Sequence, residues 1–75
     1  MADQTAVAPR KGELVSAVSR IEERSAIFGT YILDAKLHVR AGEYQPAHAL
    51  LEMARRELET LDEAIGKCRN QLLTA

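Results

Sequence analysis

Residues 47–73 read AHALLEMARRELETLDEAIGKCRNQLL, a stretch with no proline and a single glycine, Gly66. Ala47, Leu51, Ala54, Leu58, Leu61, Ile65, Cys68 and Leu72 recur in it at alternating steps of four and three. Such a seven-residue repeat brings one set of side chains to one stripe of an α-helix, and charged residues occupy much of the remainder. The spacing predicts an amphipathic helix that packs its stripe against another helix.

Upstream, residues 12–40 repeat the pattern, again without proline and with Gly29 as the only internal glycine. Leu14, Val18, Ile21, Ser25, Phe28, Ile32, Ala35 and Val39 keep the same four-three spacing, with one polar member. Each stripe spans 26 residues, roughly 39 Å at 1.5 Å per residue. Two helices of equal reach joined by a short bend can close along their whole length. The bend is AGEYQP, residues 41–46, with Gly42 suited to the left-handed position after a helix and Pro46 to the first turn of the next.

The fold class expected is therefore all-α, an antiparallel two-helix hairpin, coiled-coil-like, that completes a bundle by dimerisation or with a partner. Its expected parts are a disordered N-terminal tail over 1–10, a helix over 11–41, a turn over 42–45 and a helix over 46–73. A competing local pattern lies within the first helix, where Tyr31, Leu33, Ala35, Leu37 and Val39 alternate with polar residues as in a strand. A lone strand has no second strand to pair with in this chain, whereas a helix satisfies its backbone internally.

Composition narrows the function. Seventy-five residues bury too little surface for a deep pocket or a second core. Cys68 is the only cysteine, which excludes an intrachain disulfide and leaves a partner subunit as the natural source of added stability. Ten Lys and Arg against eleven Asp and Glu give a net charge of -1, with no electrostatic pull toward nucleic acid or an anionic membrane. No apolar run approaches the ~18–20 residues of a spanning helix, and a cytoplasmic setting is expected.

Catalytic or metal chemistry finds little support. His38 and His48 flank the bend, but Cys68 lies roughly 30 Å along the helix from His48 and cannot join it in one site. Glu57, Glu59, Asp62 and Glu63 stand among Arg55, Arg56 and Lys67, as on a solvated helix. No phosphate loop or nucleophile motif occurs, so neither an enzyme nor a cofactor or metal is expected.

The first helix carries more apolar surface than one neighbour covers. Ala26, Thr30, Leu33 and Leu37 form a second line with Ile27 and Tyr31 alongside, and Tyr44, Leu50 and Met53 extend it near the bend. A helix apolar on two sides wants two neighbours. Ala26, Ile27, Tyr31, Leu33, Leu37, Tyr44, Leu50 and Met53 are thus the expected partner-binding residues. The partner expected is a protein, another copy of the chain or both, with no small-molecule substrate.

Two resemblances attach to these residues. Val39-Arg40-Ala41-Gly42 followed by Leu50-Leu51-Glu52-Met53-Ala54-Arg55 resembles the turn and second helix of the small YscE-type proteins of type III secretion. That resemblance implies a helical-hairpin co-chaperone, which with a tetratricopeptide chaperone holds a needle subunit soluble. The paired-hairpin layout also resembles the plasmid RNA-binding Rop proteins. Here Arg20, Arg24, Lys36 and Arg40 are interleaved with Glu22, Glu23 and Asp34, so the uninterrupted basic stripe that RNA binding calls for is missing. Gly42, Tyr44, Ala47, Leu51 and Ala54 match the second half of a tetratricopeptide repeat, but a single repeat cannot bury its own faces. A co-chaperone or adaptor is the function expected, with a phage-encoded or regulatory inhibitor of a host protein as the alternative reading of the same exposed stripe and a Rop-like RNA-binding homodimer as the second alternative.

Overall fold

The computed structural model describes residues 10–75; the expected tail over 1–10 falls almost wholly outside them. Two helices account for most of the described chain: α1, Lys11–Arg40, and α2, Tyr44–Leu73, each of 30 residues and thus about 45 Å long. They pack on each other as an all-α hairpin. Residues 31–39, where apolar and polar residues alternate, lie within α1.

Each helix end follows from local chemistry. The Arg10 backbone N–H donates to Glu13 Oε1 at 3.1 Å, satisfying one of the donors that a helix start leaves without an intrahelical acceptor. Glu13 also places negative charge in the first turn, where the aligned peptide dipoles favour it. At the other end α1 closes in a Schellman motif. The Glu43 N–H donates to the His38 carbonyl at 2.8 Å and the Gly42 N–H to the Val39 carbonyl at 3.0 Å. This wrapping needs a left-handed residue, supplied by Gly42 at φ 77°. His38 Nδ1–H donates to Glu43 Oε1 at 2.7 Å and ties the same two residues together through their side chains.

The second helix starts at Tyr44, two residues before the expected 46, and Pro46 is its third residue. Pro46 fits there because its missing N–H is one that the first turn would leave unpaired in any case. The first backbone bond from α2 into the bend is the Ala47 N–H to the Glu43 carbonyl, at 3.4 Å.

The seam between the helices corrects the expected one. Its deepest positions are Ala35 on α1 and Ala47, Ala54, Leu61 and Cys68 on α2, each no more than 6% exposed. The α2 residues among them stand seven apart, and Leu14, Ile21 and Phe28 continue the Ala35 row on α1. That half of both expected stripes faces inward. The other half does not: Val18, Ile32, Val39, Leu51, Leu58, Ile65 and Leu72 are 41–52% exposed, and Ser25 is exposed with them. The second row of the seam is instead Ala17, Arg24, Tyr31 and His38 against Leu50, Glu57 and Ala64, one residue earlier in each heptad.

Geometry accounts for the rotation. Two helices meet along a single line, so an apolar stripe wider than that line is only partly covered. Alanines at 35, 47 and 54 let the backbones approach closely and draw the line toward themselves. Midway along it, Arg24 Nη1 donates to Glu57 Oε2 at 3.0 Å, with the Glu57 side chain only 13% exposed. The pair lets two charged residues occupy the second row.

Candidate interaction surface

Two antiparallel helices present two broad sides. A row that lies about 75° from the seam in the same rotational sense on both helices ends on the same broad side, because reversing a helix also reverses its apparent sense. The residues following the second seam row, Val18, Ser25, Ile32 and Val39 on α1, therefore share one side with Leu51, Leu58, Ile65 and Leu72 on α2. Tyr44, seven residues before Leu51, heads the α2 row and is 69% exposed. This side is apolar over almost its whole length.

The opposite broad side has another character. Its corresponding rows are Arg20, Ile27 and Asp34 on α1 and Met53, Thr60 and Lys67 on α2. Near the open end of the hairpin, Arg20, Arg24 and Lys67 border a shallow open cleft of about 350 Å³ with Ala17, Ala64, Cys68 and Gln71. The cleft presents cations, and its one thiol, Cys68, is buried. The asymmetry between the sides is chemical: one is a hydrocarbon slab, the other a mixed solvated surface.

Charge frames the apolar side. The next rows outward are Val15, Glu22, Gly29 and Lys36 on α1 and His48, Arg55, Asp62 and Arg69 on α2, all exposed. Arg55 also reaches Glu52 at 3.4 Å and Glu59 at 3.3 Å along its own helix. An apolar centre with a charged rim is the anatomy of a protein interface, and monomers rarely leave so long an apolar patch open.

The structure does not gather the expected binding residues into one patch. Ala26 and Leu33 lie on the back of α1, away from α2, with Leu37 beside them. Ile27 and Met53 lie on the mixed broad side, 43% and 44% exposed. Tyr31 and Leu50 are half-buried in the seam and help to close the hairpin itself. Tyr44 alone belongs to the apolar side. The rest of the apolar side is formed by Val18, Ile32, Val39, Leu51, Leu58, Ile65 and Leu72, which were not among the expected binding residues. Their apolar periodicity was the signal, and it was assigned to the inner seam.

Among the described residues no group of three or more His, Cys, Asp and Glu side chains converges as a metal site would require. His38 is engaged with Glu43, and His48 is exposed on the rim of the apolar side. No helix among the described residues is long and apolar enough to cross a membrane. No protein family, curated protein or solved structure matches the chain.

Proposed function

We propose that this chain is a non-enzymatic protein–protein interaction module, a helical hairpin that acts as an adaptor or co-chaperone by laying its apolar broad side on other helices. The observation that carries the reading is the row pair of Val18, Ile32 and Val39, interrupted only by Ser25, with Leu51, Leu58, Ile65 and Leu72, each of these apolar residues about half exposed. Full burial of an aliphatic side chain is worth about 1.5–3 kcal/mol, so covering the exposed half of each contributes about 1 kcal/mol. Across the seven residues the gain, about 7 kcal/mol at most, exceeds the ~3–5 kcal/mol that a core of this size supplies. The hairpin's own fully covered residues are mostly alanines, and no large side chain is fully buried. A helix-on-helix partner supplies what the isolated hairpin lacks.

The test is association, read by light scattering of the purified chain over a range of concentrations. The double variant Leu51→Asp, Leu58→Asp loses assembly, and Leu33→Asp with Leu37→Asp retains it. The reverse ranking overturns the reading. A catalytic activity of the chain that is lost on alanine substitution at both His38 and His48 would contradict the non-enzymatic part of the reading.

A further inference from the structure

We infer that the apolar side is covered by a second copy of this chain, forming an antiparallel four-helix bundle. Its two-fold axis crosses the helices at the level of Leu58 and Ser25, and the two bends lie at opposite ends. The inference rests on the reading that this side is an interface and adds the identity and direction of what covers it.

The row on α2 is symmetric about its middle. Tyr44, Leu51, Leu58, Ile65 and Leu72 stand seven apart, so an axis at Leu58 sets Leu58 on the partner's Leu58, Leu51 on the partner's Ile65 and Tyr44 on the partner's Leu72. On α1 an axis at Ser25 sets Val18 on the partner's Ile32 and lays Val39 along the aliphatic stem of the partner's Lys11, at the end of the helix. The hairpin's own register makes the two centres coincide. Ser25 and Leu58 stand 17 and 16 residues from Gly42 at the middle of the bend, so they lie within about 3 Å of one level along the bundle. The Arg24–Glu57 bond beside them requires the same of its neighbours to within a side chain's reach. One axis therefore serves both rows.

Charge selects this direction. With the axis at Leu58, Arg55 falls beside the partner's Asp62, and symmetry makes the pair twice. Glu22 then faces the partner's Gly29, and Lys36 faces the partner's Val15. His48 meets the partner's Arg69, a repulsive pair only where the imidazole is protonated. The other two-fold arrangement, with the bends together, lays α1 on the partner's α2. It brings Glu22 within a helical turn of the partner's Asp62, like charge against like, while His48, now near the partner's Lys36, is repelled only on the same condition as in the first arrangement and so does not discriminate between them. Area agrees as well. Two 30-residue helices side by side offer a footprint of about 45 by 20 Å, on the order of 900 Å², against ~800 Å² per partner in a standard stable interface.

The experiment uses the full chain with Cys68→Ala as parent, which removes the one native thiol. In that parent, sedimentation equilibrium shows a dimer, and Leu58→Asp, which sets two carboxylates against each other on the axis, raises its dissociation constant about 100-fold or more. Adding Ser25→Cys to the parent gives a disulfide-linked dimer on mild oxidation, because the two Ser25 positions face each other only when the bends are at opposite ends. A dimer that does not cross-link overturns the direction. A monomeric parent overturns the second copy. In that case binding of an anilinonaphthalene dye, lost in Leu58→Asp, leaves the side an open apolar surface and keeps the interface reading while the second copy falls. A monomeric parent that binds no dye overturns the interface reading too. Circular dichroism on every variant separates loss of pairing from loss of helix, and the cross-link holds even where Leu58→Asp unfolds.

Discussion

At Gly42 the backbone at φ 77° is the condition for both hydrogen bonds that end α1. Gly42→Ala places a Cβ in the left-handed region and lowers stability by about 1 kcal/mol, a drop in the urea midpoint with an unchanged slope. Gly66 has the opposite sign. It sits inside α2 with open space where a Cβ would go, so Gly66→Ala raises stability by about 0.5–1 kcal/mol in the same measurement. Both glycines were visible in the sequence, and their roles were legible from position alone, one just past a periodic stretch and one within it. The His38–Glu43 hydrogen bond was not legible. It depends on the chain's reversal at Gly42, which brings together side chains that a continuing helix would hold apart.

At the scale of the helices, the deciding feature is which row of each stripe the partner helix covers. Ala54 is 2% exposed against α1, so Ala54→Leu forces the helices apart and lowers stability by about 1–3 kcal/mol. Leu51, three residues earlier in the same expected stripe, is 49% exposed, and Leu51→Ala changes hairpin stability by under ~1 kcal/mol while weakening assembly. Urea denaturation at low concentration, paired with sedimentation at high concentration, separates these outcomes. The two-helix hairpin is legible from periodicity and from Gly42 and Pro46, although the bend is shorter than expected, with α1 ending at Arg40 and α2 starting at Tyr44. The seam was read one residue off in half its positions, because counting apolar residues cannot register that small alanines set the line of closest approach. Nor does it register that Arg24 and Glu57 neutralise each other within that line. A double-mutant cycle on Arg24→Ala and Glu57→Ala gives a coupling of about 0.5–1 kcal/mol that shrinks with added salt.

At the scale of the whole molecule, the hairpin is one-sided. The surplus apolar surface expected at Leu33 and Leu37 is present on the back of α1, each 50% exposed, but the longer apolar side shared by both helices is not legible in the sequence. A wheel drawn for one helix cannot show that rows from two helices merge. That merging depends on the antiparallel pairing and on the inward turn of the alanine row, which together align Val18, Ile32 and Val39 with Leu51, Leu58 and Ile65. Methyl NMR of the concentrated full chain with a soluble paramagnetic probe reads the central claim directly, since it reports which methyl groups water reaches. The account predicts that the methyls of Leu51, Leu58 and Ile65 are shielded and become accessible in Leu58→Asp at its remaining positions, while those of Leu33 and Leu37 are accessible throughout. Shielded Leu33 and Leu37 beside open Leu51, Leu58 and Ile65 would contradict it.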